Sequence, residues 1–476
     1  MRRATPTPVQ EERNYMKNSS HSTGFKDTFW GILFIINLIV FSIFLNRAYQ
    51  QTFGKGFFQK ITSNDSENSE NSDFSEFSYL RKVLVLGLAV SGVTNLAHLV
   101  FAISFPVFYI GVNIYLGLVT SIVVGGASII YSISEFSIAG FIGAAISIAL
   151  GVASFLYCRR CQKTSALLLK GSSEMILKHP GVLLVEAGAT ILLFFLSAVF
   201  IISFFLLKEQ EANYGILIYA FFSFCWISST IYFVCYMTIS GVTGSEFYHR
   251  SQALTVLGSF ARASTALFGC AAFAGLFWAL IQTLQQLTEL LKPEEKKKKK
   301  KKSDDDDDKE KGPSLLRIVL YYVLSFILKL AKDVFEYFAR HALIYCAVFG
   351  ISFKDAVKKW ANKSIYTQIK KANHYSMVTE SLVINYFIFT AIACVVSYFA
   401  SSNLYPTTYA TDELKLTISV MSVVVTFVLM TVFYTVLSSV FTTTTDTLML
   451  CYLETPGEMQ KRFTQLYNTL QQNTLT

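Results

Sequence analysis

Runs of about twenty apolar residues recur along the chain, each closed by a short polar break. A hydrocarbon core about 30 Å thick takes about 20 mainly apolar helical residues to cross. The runs at 28–46, 83–105, 107–131, 135–157, 181–207, 214–239, 263–283, 380–400 and 414–440 therefore predict membrane spans. A tenth falls within 314–352, where charged and apolar positions mix. The pattern predicts an all-α polytopic membrane protein, a bundle of about ten transmembrane helices. Around the spans it predicts a disordered cytosolic tail at 1–27, an extracellular acidic loop at 47–82, a disordered linker at 286–313 and a cytosolic tail at 441–476. Spans two to seven fill 83–285, and spans eight to ten, with an amphipathic segment, fill 314–440.

Charge decides the sides. Basic residues favour the cytosolic flank of a span, and Arg2, Arg3, Arg13 and Lys17 precede the first one, while an acidic stretch from Asn64 to Phe77 follows it. The N-terminus is then inside, and Asn64, in the sequon Asn64-Asp65-Ser66, is a candidate glycosylation site outside. Arg159, Arg160, Lys163, Lys170 and Lys178 suit an inner loop carrying a short amphipathic helix on the membrane surface. Seven lysines at 296–302 and five aspartates at 304–308 strain the alternation, because counting spans puts this linker outside. Either the seventh span is re-entrant or the opposite charges nearly cancel; ordinary crossing is the reading adopted. With 15% charged and 53% hydrophobic residues, against about 25% charged in soluble chains, the net charge of +9 belongs to membrane topology rather than to nucleic acid.

Chemistry outside transport has little footing. The chain contains no G-x-x-x-x-G-K-[ST] phosphate loop. Its six histidines form neither H-x-x-x-H nor a Ser/His/Asp grouping, which argues against an enzyme. Of eight cysteines, only Cys158 and Cys161 pair closely, and without a second ligand pair they make a weak metal site; a reduced, lipidated pair is the better reading. No cofactor is expected.

Ionisable groups at membrane depth are costly and so are candidates for function. Glu186 lies in the fifth span, His98 in the second, and Glu135 at the edge of the fourth. Glu135 reads as interfacial, and His98 as a packing residue or a proton or polar relay. The sixth span reads "WISSTIYFVCYMTISG" at 226–241, and on a helix Ser229, Tyr232, Tyr236 and Ser240 share one stripe with Trp226 close by. A quaternary ammonium offers no N–H to a hydrogen bond, and aromatic faces with a nearby carboxylate hold it instead. Trp226, Ser229, Tyr232, Tyr236 and Glu186 are the candidate binding residues; the competing reading of the rings is as interfacial anchors. Lys329, Lys332, Asp333, Glu336 and Arg340 recur at helical spacing, either as the wet face of a helix leaving the membrane or as a charged vestibule. Gly143, Ser147 and Gly151 have the small-residue spacing of close helix packing.

Several of these stretches resemble the choline transporter-like family, solute carrier family 44. They are "FKDTFWGILFIINLIVF" at 25–41, "WISSTIYFVCYMTISGVTGSEFYHR" at 226–250, "LGSFARASTALFG" at 257–269, "RHALIYCAVFGISFKDAVKKW" at 340–360 and "TTDTLMLCYLETP" at 444–456. "GVTGSEFY" is closer to the fungal pH-nine-sensitive branch than to animal members, which have a longer, cysteine-bearing first outer loop. The resemblance implies a plasma-membrane carrier of choline or a related amine such as ethanolamine, facilitative or proton-coupled, with both termini cytosolic. Opposing readings are a membrane protein without transport activity, organising lipid or partners, and a channel.

Overall fold

The computed structural model describes residues 24–52, 73–134, 138–209, 214–248, 255–290, 292, 315–362, 365–403 and 412–475. Asn64, the basic N-terminal residues, Glu135 and the lysine and aspartate runs lie outside them. The helices are α1 (Thr28–Thr52), α2 (Asp73–Ser104), α3 (Pro106–Ser134), α4 (Ile138–Lys178), α5 (Gly181–Glu209), α6 (Tyr214–Phe247) and α7 (Val256–Ser264). They continue as α8 (Phe268–Leu290), α9 (Leu315–Phe349), α10 (Phe353–Ala361), α11 (Ile365–Asn403), α12 (Asp412–Glu454), α13 (Pro456–Arg462) and α14 (Thr464–Leu475). Among the described residues no strand occurs and nine helices are long and apolar enough to cross a membrane, or ten if the bent pair α9 and α10 counts as one span. The chain is a multi-pass, all-helical membrane protein.

Two compact units divide the chain, one of residues 1–61, 192–237 and 260–362, the other of 62–191, 238–259 and 363–476. In the first, Phe34 and Phe41 of α1 pack with Phe200, Trp226, Ala272 and Ala279. Lipid supplies no hydrophobic drive between helices, so polar contacts and close backbone approach carry weight here. Asn37 Oδ1 accepts hydrogen bonds from Tyr219 (3.0 Å) and Ser223 (2.9 Å). Trp226 Nε1 donates to the Ala272 carbonyl at 2.9 Å. A Cβ on Gly275 would stand 2.5 Å from Thr230 Oγ1 and 3.2 Å from Ser229 Oγ, so α6 and α8 meet at a position that tolerates only hydrogen. Gly275→Ala is expected to destabilise by about 1–3 kcal/mol through overpacking. Gly188→Ala, with open space at its Cβ, should be neutral or gain up to about 1 kcal/mol of helix propensity. Thermal unfolding of the two variants, with opposite or unequal shifts, checks this.

In the second unit α2, α3, α4, α11 and α12 pack together around Tyr109, Ile110, Leu169, Leu382 and Phe441. Hydroxyls line the seam between α11 and α12: Ser397 and Ser422 Oγ atoms lie 2.7 Å apart and Thr426 donates to Ser397 at 2.8 Å. One sequence expectation changes. Instead of a separate surface helix after the fourth span, α4 runs unbroken to Lys178, and Pro180 follows. Ser165, Leu168, Ser172 and Met175 are buried, Ser172 Oγ lying 2.8 Å from Thr445 Oγ1. The apolar face therefore meets protein rather than headgroups. Within 441–476, α12 continues to Glu454, and Leu448, Met459 and Leu466 join one buried cluster. Of the small-residue stripe, Gly151 backs onto Ser121, whereas nothing lies within 4 Å of a Cβ at Gly143.

Candidate functional site

Three helices of the first unit enclose a cavity of about 370 Å³, within the size range of ligand sites. From α6 come Phe224, Ser228, Ser229, Tyr232 and Phe233, spaced at threes and fours so that one helix face supplies them. From α8 come Trp278 and Gln282, and from α9 come Glu336 and Arg340, each pair one turn apart.

Aromatic faces meet a carboxylate here. Glu336 and Arg340 form an ion pair, each side chain about one-third exposed. The Lys332 ammonium stands 5.3 Å from the Trp278 ring centroid, so this indole face already attracts a cation. The Ser229 hydroxyl is satisfied within the helices, donating to the Cys225 carbonyl at 2.7 Å, with the Gly275 carbonyl at 3.1 Å. Ser228 differs: its buried Oγ has no hydrogen-bond partner among the described residues. An unmet buried hydroxyl costs about 1–3 kcal/mol, a cost that a polar guest in the cavity would remove.

Of the residues predicted from sequence, Ser229 and Tyr232 line this cavity. Tyr236 is buried on the same helix, its ring 6.2 Å from that of Tyr232. Trp226 is buried too, edge-on to Phe34 at 5.6 Å with its N–H engaged by Ala272, which makes it part of the contact between α6 and α8. Glu186 belongs to the second unit; it is buried, takes a hydrogen bond from Ser439, and its Oε2 has no partner among the described residues. His98, also in the second unit, has its Nε2 2.7 Å from Tyr109 Oη and stacks on Phe389 at 4.8 Å. Its Nδ1 makes no hydrogen bond among the described residues.

Sequence reasoning missed Trp278, Gln282 and Ser228. A signal existed, since Trp278 and Gln282 are one turn apart in an otherwise apolar run. Of the charged stripe, Glu336 and Arg340 line this cavity, while Lys329 and Asp333 are exposed outside its lining. Among the described residues no group of three metal-ligating side chains forms.

Residues 141–457 match the family described as plasma-membrane choline transporter, a stretch that includes all three cavity helices. The chain is 28% identical over 150 residues to the protein PNS1 of Saccharomyces cerevisiae, covering 30% of this chain and 26% of that protein. It is 24% identical over 155 residues to PNS1 of Debaryomyces hansenii, covering 32% and 28%. Over 285 residues it is 25% identical to PNS1 of Eremothecium gossypii, covering 55% and 49%. The matches thus span from a quarter to a half of these curated relatives.

Proposed function

The chain belongs to the plasma-membrane choline transporter family, and we propose that it carries choline or a related organic amine such as ethanolamine across the plasma membrane, by facilitated or proton-coupled flow. The observation that carries this reading is one cavity holding aromatic faces, a carboxylate and an unmet hydroxyl. The trimethylammonium group rests against Tyr232, Phe233 and Trp278, each face contributing about 0.5–2 kcal/mol. Glu336 balances its charge, and Ser228 meets the alcohol of choline or its analogue. Arg340 holds Glu336 in an ion pair; an arriving ammonium competes for the same carboxylate, so binding changes how α9 is held at its own ion pair. Glu186 and His98 are then candidates for a coupling step in the second unit rather than for the cage.

Labelled choline uptake into proteoliposomes, with and without a pH gradient, tests the proposal. Saturable uptake is expected, and Trp278→Leu should raise the half-saturating concentration about fivefold to thirtyfold, the equivalent of one aromatic contact of about 1–2 kcal/mol. Folded protein that moves neither choline nor ethanolamine would sink the reading, and flux that never saturates would point to a channel.

A further inference from the structure

At one end of the first unit three cations gather without acidic partners. Helix α9 ends at Gly350, whose φ of 67° makes a corner that favours glycine. Beyond it α10 turns by 116° from the span, so it runs more nearly across the span axis than along it. Ser352 caps α10, its Oγ accepting from the Asp355 N–H. Phe353, Ala356 and Trp360 are buried on one face, while Lys354 and Lys358, one turn apart, are exposed on another.

The third cation comes from the start of α1. The Phe353 N–H donates to Asp27 Oδ2 at 2.8 Å, so Lys26 and Lys354 each stand one residue away from the same hydrogen bond. Among the described residues no carboxylate reaches ion-pair distance of Lys26, Lys354 or Lys358. The acidic neighbour Asp355 takes a hydrogen bond from Ser352 at 2.7 Å. Lys359 is turned away, its ammonium 4.6 Å from the Phe349 ring centroid.

Below these cations runs an apolar track. Phe25 and Phe29 flank Lys26 and are 69% and 66% exposed, and Ile32, Ile36, Ile39 and Ile43 continue along α1, each more than half exposed. The helical spacing of Phe29 and these isoleucines makes a continuous stripe along the membrane-length helix Thr28–Asn46. A molecule with an anionic head and long apolar tails matches both halves at once.

We propose that Lys26, Lys354 and Lys358 form a binding site for the headgroup of an anionic phospholipid of the bilayer, whose acyl chains lie along the exposed stripe of α1. Lysines near an anionic membrane surface each contribute measurably to such attraction, and an amphipathic helix in the interface holds them at headgroup level. The site is independent of the amine cavity and of whether the chain transports anything.

Full-length protein in nanodiscs of phosphatidylcholine alone, or with added phosphatidylserine, provides the test. Thermal unfolding should shift upward with phosphatidylserine, and native mass spectrometry should find the anionic lipid retained in preference to phosphatidylcholine. Lys354→Gln combined with Lys358→Gln should cut that preference roughly tenfold or more without changing helix content, because both side chains are exposed. Equal retention of the two lipids by wild-type protein, or unchanged preference in the double variant, would overturn the proposal. So would the same stabilisation by soluble glycerophosphate in place of the lipid, which would make the ligand a free phosphate.

Discussion

Glu336→Gln is expected to raise the choline concentration that half-saturates uptake by about thirtyfold, the largest change from any one conservative substitution in the cavity. Two unit charges about 5 Å apart attract by about 3 kcal/mol at an effective dielectric of about 20. Competition from Arg340, paired with Glu336, reduces the net loss to about 2 kcal/mol, or about thirtyfold in affinity. Removing the carboxylate also leaves the Arg340 charge uncancelled by Glu336 beside the guest. Arg340→Gln should act in the opposite direction, lowering half-saturation several-fold because the carboxylate is no longer shared. Glu186→Gln separates the two carboxylates: near-normal half-saturation is expected, with any defect appearing in the pH-gradient dependence. Folded E336Q that saturates at the wild-type concentration, or an affinity loss that follows E186Q instead, would remove Glu336 from the cage.

Much of this architecture was legible because membrane insertion writes itself locally. A 20-residue apolar run states its own fate, so the span from Gly181 to Phe205 can be read without any partner. The carboxylate of the cavity was harder. Helical spacing puts Glu336 and Arg340 on one face of α9, yet only the docking of α9 beside α6 and α8 decides whether that face meets water, lipid or a guest. The same gap explains Trp226. Its type and position suit a cation cage, but the hydrogen bond to Ala272 depends on which helix lies opposite, and spacing within α6 cannot reveal that. For α4 the error was one of context, since a basic, amphipathic continuation of a span suits a membrane surface equally well when no neighbouring helix is known. Its buried face instead meets α12 and α14, elements nearly three hundred residues later in the chain.

Asp27→Ala is expected to destabilise the first unit by about 3–5 kcal/mol, more than Gly275→Ala. Asp27 joins three elements through one side chain. Its Oδ2 accepts from the Phe353 N–H at 2.8 Å and from Cys270 Sγ at 3.2 Å, linking α1 to the first turn of α10 and to the start of α8. The backbone is equally committed: the Asp27 carbonyl accepts from the Trp30 N–H at 3.0 Å, and the neighbouring Lys26 N–H donates to Ala266 at 2.8 Å. Gly269 makes this approach feasible, because a Cβ there would strike the Asp27 carbonyl group. The backbone N–H bond to the carboxylate contributes about 1.5–3 kcal/mol, and the thiol, a weak donor, adds less. The positive φ of 53° at Asp27 adds about 1–2 kcal/mol against alanine, which avoids the left-handed region that Asn and Asp tolerate. Asp27→Asn keeps an acceptor oxygen and that tolerance, so it should cost least; Asp27→Gly loses the acceptor but relieves the backbone and should fall between. All four tryptophans, Trp30, Trp226, Trp278 and Trp360, belong to this unit, so tryptophan fluorescence during thermal unfolding reports on it selectively. The order wild type, Asn, Gly, Ala in melting temperature is the expected result, and an alanine variant that melts with the wild type would mean that α10 is held by its buried Phe353 and Trp360 alone.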